Sequence, residues 1–165
     1  MNSDQSSATV FFLHGLDSSS QGYKARWFSA RFPQMRIHDY QGELADRLAQ
    51  LENETRSIHR LILVGSSFGG LMAACHAARY PTQCAALVLL APALNFHGYQ
   101  VPTMALNMPV TLLIGKQDTV CPPDLVLPRA RQSFSRLNVH LVEDDHLLHH
   151  SFQQLDWPNL LQYTE

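Results

Sequence analysis

Apolar residues fall along this chain in two alternating forms, short unbroken runs and longer stretches spaced at helical intervals. Thr9 to Leu13 reads "TVFFL", Leu61 to Val64 "LILV", Ala85 to Leu90 "AALVLL" and Val110 to Ile114 "VTLLI". None alternates apolar with polar, so each predicts a strand buried on both faces, as in a parallel sheet. Met35 to Tyr40 ("MRIHDY") and Asn138 to Glu143 ("NVHLVE") are weaker strands, which makes about six in all. Between the strands lie segments with helical spacing and end signals: Lys24 to Arg31, Glu43 to Arg56, and Phe68 to Arg79 with a Tyr80-Pro81 stop. Leu125 to Leu137 and His149 to Gln162 read the same way despite Pro128 and Pro158. Strands alternating with helices predict an α/β fold, a mostly parallel, doubly wound sheet with helices on both faces.

Composition narrows this picture without altering it. A length of 165 residues suits one domain. Residues 1–8 read as a disordered polar tail and residues 9–165 as a single domain, since no linker-like run interrupts them. Twelve basic against 14 acidic residues give a net charge of −2, and no Lys/Arg cluster marks a nucleic-acid or membrane footprint. The opening "MNSDQSSA" lacks the charged and apolar regions of a secretory signal, and no apolar run approaches the ~18 residues of a membrane span, so a cytoplasmic location is expected. Cys75, Cys84 and Cys121 fit neither a zinc motif nor a CxxC pair and are expected to be free thiols.

In a parallel sheet, ligands gather at the carboxyl ends of the strands. Four loops leave those ends: "HGLDSSS" after Leu13, "GSSFGG" after Val64, "GKQDTV" after Ile114 and "DDHLLHH" after Glu143. In a strand-to-helix elbow the presented residue is strained, and the positions two before and two after it must be small. Centred on Ser67 these are Gly65 and Gly69; centred on Ser66 they are Val64 and Phe68, which would clash. Ser67 is therefore the candidate nucleophile, with Phe68 N–H and the start of the next helix beside its hydroxyl. A bare G-x-S-x-G also occurs as a plain glycine turn, so the other loops decide. A serine needs a base to take its proton, and the base needs an acid to hold its tautomer. Asp118 and His146 supply these in the chain order Ser…Asp…His. His146 is preferred to His149 and His150 because it precedes the last predicted helix. In "HGL", Leu16 N–H faces Phe68 N–H as the second donor of an oxyanion hole. His14 reads as a structural hydrogen-bonding residue.

These residues resemble the α/β-hydrolase superfamily over Thr9 to Phe152, through "FLHGLDSSS", "LVGSSFGGLMAACHAARYP", "LVLLAPAL", "GKQDTVCP" and "DDHLLHH". "HGLDSSSQGYKA" is similar to the opening of small lidless bacterial serine esterases. The resemblance implies Ser67 as nucleophile, Asp118 as acid, His146 as base and the Leu16 and Phe68 amides as oxyanion donors, with no cofactor and no metal. Three departures stand out: the first two strands of the full superfamily sheet have no counterpart, the segment from Ala93 to Pro109 is too short for a cap domain, and "DDH" replaces the usual "GH". A minimal, open version of the fold is expected.

Without a lid, short to medium acyl esters or thioesters of small molecules are the expected substrates, with Phe96, Tyr99, Met104 and Leu106 as candidate pocket residues. Val101 and Met108 belong to the same apolar segment, which can equally be buried as core. Asp17 and Asp145 would disfavour anionic substrates if they face inward. Three rival readings remain: a low-turnover protein-interaction module on the same fold, a peptidase or lactonase on the same triad, and a metallohydrolase built on His146, His149, His150 and Asp144 or Asp145. The last lacks the H-E-x-x-H glutamate and leaves the elbow unexplained. No nucleic-acid or membrane partner is expected.

Overall fold

The computed structural model describes residues 7–162; positions 1–6 of the expected tail lie outside the described residues. The strands are β1 (Thr9–Leu13), β2 (Arg36–Ile37), β3 (Leu61–Ser66), β4 (Cys84–Leu90), β5 (Val110–Gly115) and β6 (Leu137–Val142). They form one sheet in the order β2-β1-β3-β4-β5-β6, and every neighbouring pair is parallel. The four unbroken apolar runs are the four inner strands, which must be apolar on both faces because helices cover both. The weaker runs are the edges, where β6 mixes half-buried with exposed residues and β2 keeps only two residues.

The helices are α1 (Tyr23–Arg31), α2 (Leu44–Thr55), α3 (Phe68–Arg79), α4 (Pro123–Ser133) and the short α5 (Trp157–Leu160). On one face Leu48 and Leu51 of α2, Leu71 and Met72 of α3, and Val126 and Ala130 of α4 pack on Phe11, Leu63, Leu89 and Leu112. On the other, Phe28 of α1, Phe152 and Trp157 cover Val10, Phe12, Ile62 and Val88. A Glu43–Asp46 capping box starts α2.

Two helices differ from the sequence reading. The stretch 149–162 is not one helix but a 3₁₀ turn (Ser151–Gln154) followed by α5, because Leu155 is extended and the Asp156 carboxylate accepts from Asn159 N–H. Pro158 sits in the first turn of α5, so it marks a helix start, where its missing N–H costs nothing. Helix α4 ends at Ser133, four residues early, because Phe134 turns extended and bridges to Leu106 before β6 begins. Pro128 lies inside α4.

The chain enters at β1, steps outward to β2 and returns through α2 to β3 on the other side of β1, so adjacent β1 and β3 send their following segments in opposite directions. That reversal is the position at which open α/β sheets bind ligands. Leu13 pairs with Gly65 and Gly115 with Val142, so the loops after β1 and β3 leave level with one another, as do those after β5 and β6.

Candidate active site

At the end of β3 the backbone of Ser67 has φ 56° and ψ −114°. A non-glycine residue in this region is strained and must be held by its surroundings. Its N–H donates to Leu90 carbonyl at 2.9 Å, and its carbonyl accepts from Gly70, Leu71 and Ala93 amides at 2.9, 3.2 and 3.0 Å. The two flanking glycines explain the tightness of the crossing. A Cβ on Gly65 would lie 2.7 Å from Gly70 Cα and closer still to the Gly69 carbonyl, and one on Gly69 would strike the Leu13 and His14 carbonyls. Backbone atoms cannot move aside, so Gly69→Ala is expected to exceed the ~1–3 kcal/mol of ordinary overpacking. Thermal unfolding or loss of soluble expression measures it.

The side chains converge from three strand ends. Ser67 Oγ lies 2.9 Å from His146 Nε2, and His146 Nδ1 lies 2.8 Å from Asp118 Oδ2. Asp118 is 3% exposed, and its Oδ1 accepts from the amides of Val120 (2.9 Å) and Cys121 (2.7 Å). The turn after β5 therefore aims one carboxylate oxygen at the imidazole by tying down the other. Close approach of the β6 loop to β5 requires Gly115, where a Cβ would press on the Asp144 and Asp145 carbonyls. Next to Ser67, Phe68 N–H opens α3, and Leu16 N–H lies in the loop after β1; neither donates to a protein acceptor among the described residues. His14 is buried; its Nε2 accepts from Tyr40 N–H at 3.0 Å and its Nδ1 donates to Gly15 carbonyl at 2.7 Å, which pins the base of that loop.

These groups open into a cavity of about 530 Å³. Phe96 lines it, but the other three candidate pocket residues do not. Tyr99 and Leu106 are buried in the core, Tyr99 bonded to Ser133 at 2.5 Å, and Met104 is 81% exposed. Beyond Phe96 the segment after β4 folds down onto α4, and it contains no helix. The residues that take their place are Tyr23 and Lys24 of α1, Val120, Cys121, Leu147 and His149. No spacing signal relates α1 to the loop after β6; they meet because Tyr23 stacks on His149 with ring centroids 4.2 Å apart. Asp17 and His149 face the cavity, whereas Asp145 and His150 do not line it.

Lys24 Nζ donates to the Leu147 carbonyl, one residue past His146. Burial lowers its ammonium to about 8, against the opposing pull of Asp144 and Asp145. Because the folded value lies below the free value of 10.5, the unfolded chain holds this proton between the two and stability rises with pH across that window. The thiols of Cys75, Cys84 and Cys121, raised by burial, act with the opposite sign above about pH 9, so the readout is a difference: denaturant unfolding is expected to show wild type gaining about 1–2 kcal/mol relative to Lys24→Met between about pH 7.5 and about pH 9.5.

The donor set of a metallohydrolase does not assemble as the sequence suggested. Asp144 accepts from the amide and hydroxyl of Ser151, and His149 is engaged with Tyr23. Among the described residues the cluster with metal-ligand proximity is Asp118, Cys121 and His146.

Known proteins match this arrangement at the level of fold. A family model described as serine aminopeptidase, S33, matches residues 29–106, which include the Ser67 elbow. No curated protein matches the sequence. Among solved structures, a protein from Thermoplasma acidophilum described as a predicted CIB-like hydrolase superposes with a TM-score of 0.74 at 17% identity, covering 98% of this chain and 90% of its own. An esterase from Pyrococcus furiosus gives 0.73 at 16% identity, covering 96% and 81%. A monoacylglycerol lipase from Paleococcus ferrophilus gives 0.72 at 12% identity, covering 95% and 97%. With its six-stranded parallel sheet and these superpositions, the chain has the α/β-hydrolase fold.

Proposed function

We propose that the protein is a serine hydrolase that cleaves short to medium acyl esters or thioesters of small molecules through an acyl-enzyme on Ser67. The observation that carries this reading is the unbroken chain of hydrogen bonds from Asp118 through His146 to Ser67, ending at the wall of the cavity. His146 Nε2 takes the proton of the Ser67 hydroxyl as Oγ attacks the acyl carbon, and Asp118 stabilises the imidazolium that results. The Leu16 and Phe68 amides receive the carbonyl oxygen as it becomes an oxyanion, aided by the positive end of α3. Collapse of the tetrahedral intermediate expels the alcohol or thiol, which takes its proton from His146. Water then repeats the sequence, releasing the acid and restoring the Ser67 hydroxyl.

Substrate class follows from the cavity mouth. Leu16, Tyr23, Val120 and Leu147 surround it with exposures of 52, 46, 58 and 52%. An open apolar rim suits a small acyl or alcohol group, and the helix-free segment between β4 and β5 supplies no cover for a long chain. Among the described residues no helix is long and apolar enough to cross a membrane, and the three free cysteines fit a reducing cytoplasm. A second reading, an aminopeptidase, draws on the description of the matching family and on Asp17, which lines the cavity and can pair with a substrate ammonium.

A series of p-nitrophenyl esters and acyl thioesters of increasing chain length, run beside aminoacyl anilides, tests the choice. Esters or thioesters of short and medium chains are expected to turn over fastest. Faster turnover of the anilides would replace the esterase reading with the peptidase one.

A further inference from the structure

The proposed mechanism uses two of the three groups gathered beside Ser67 and leaves the third, Cys121, without a role. Its backbone amide holds Asp118, and its side chain lines the same cavity as Ser67 and His146. One ligand atom each from Asp118, Cys121 and His146 lie within 4.8 Å of one another, and all three residues are at least partly buried. Sulfur, imidazole and carboxylate together are the donor types that zinc selects, whereas magnesium and calcium prefer oxygen alone. Four-coordinate zinc holds its donors roughly 3.3–3.8 Å apart, so side-chain rotations of about 1 Å close the set, with the cavity supplying a water as fourth ligand. The other two cysteines do not line the cavity.

We propose that Asp118, Cys121 and His146 form a zinc-binding site whose occupancy switches the hydrolase off. Coordination replaces the thiol S–H bond with an S–Zn bond and sends the proton to solvent. Either ring nitrogen of His146 makes the metal incompatible with catalysis. Through Nε2 the metal takes the lone pair that must accept the Ser67 proton; through Nδ1 it shifts the ring proton to Nε2, which breaks the bond to Asp118 and again leaves no lone pair for the Ser67 proton. The inhibitory half of this proposal rests on the serine-hydrolase reading; the binding half does not.

The experiment uses the untagged, metal-free protein. Titration with cadmium ions, followed by the ultraviolet thiolate-to-metal charge-transfer band, is expected to saturate at one ion per chain. The same band is expected in Ser67→Ala and in a Cys75→Ser/Cys84→Ala variant, and its loss is expected in Cys121→Ser. Zinc competes the band away. In parallel, one equivalent of zinc is expected to abolish ester hydrolysis by the wild type, and a chelator to restore it, while Cys121→Ser keeps its own metal-free rate in zinc. A band that survives in Cys121→Ser, or its absence from the wild type, overturns the site. A band that depends on Cys121 while zinc leaves hydrolysis intact overturns the switch. Should no ester be cleaved, the cadmium band still decides the site and the failure falls on the hydrolase reading.

Discussion

Ser67→Ala is expected to lower ester hydrolysis by on the order of 10⁴–10⁶-fold while leaving the protein folded. The size follows from the position of Oγ in the chain of hydrogen bonds, since Ser67 forms the only covalent bond to substrate in the proposed cycle. Removing Oγ leaves the elbow intact, because the bonds that hold φ at 56° are backbone bonds to Leu90, Gly70, Leu71 and Ala93. Alanine carries the same backbone strain as serine, so the melting temperature is expected to stay close to that of the wild type. The two amides at Leu16 and Phe68, the proposed oxyanion donors, remain and are expected to leave a residual rate above water. Ser66→Ala is the matched control. Its residue pairs with Leu90 in β3 and makes no side-chain hydrogen bond among the described residues, so its effect on rate should be small.

Asp118→Asn is expected to cost about 10⁴-fold in kcat with little change in KM. Two backbone amides, those of Val120 and Cys121, donate to Oδ1. An asparagine placed here keeps its carbonyl oxygen on those donors and turns its NH₂ toward His146 Nδ1. The imidazole then accepts at Nδ1 and carries its proton on Nε2, the wrong tautomer for taking a proton from Ser67. Steady-state kinetics of this variant, with far-ultraviolet circular dichroism to show an unchanged fold, separates a tautomer effect from misfolding. A fall in KM with kcat preserved would contradict the role given to Asp118.

The sheet was legible because its inner strands are apolar on both faces, a pattern that helices do not reproduce within five to seven residues. The elbow was legible for a different reason: Gly65 and Gly69 flank Ser67 at two residues on each side, and added Cβ atoms there would meet backbone. That geometric constraint separates Ser67 from Ser66 without any other information. The order of Asp118 and His146 along the chain, each following a strand, then places all three at the carboxyl ends of the parallel strands.

The cavity walls were not legible. Which apolar segment lines a site depends on how loops lie against one another, and no periodicity encodes that. Tyr99 and Leu106 carry the same hydrophobic character as Phe96, yet the bridge from Leu106 to Phe134 and the bond from Tyr99 to Ser133 draw them into the core beside α4. Tyr23 and Lys24, far away in sequence, take their place through contacts to His149 and Leu147. The last helix failed for a local reason: Asp156 and Pro158 are start signals, and apolar spacing on either side of them was read as one continuous helix. Nothing in the sequence separates Cys121 from the other two free thiols, because its neighbours in the site, apart from Asp118, are distant along the chain.

The most direct test of the account is intact-mass spectrometry of the protein after exposure to a fluorophosphonate probe. Ser67 Oγ displaces fluoride, so the account predicts a single adduct of one phosphonyl group per chain, mapped by peptide fragmentation to Ser67 and absent from Ser67→Ala. An adduct of the same mass and yield in Ser67→Ala, or none in the wild type under conditions that label a control serine esterase, would contradict it.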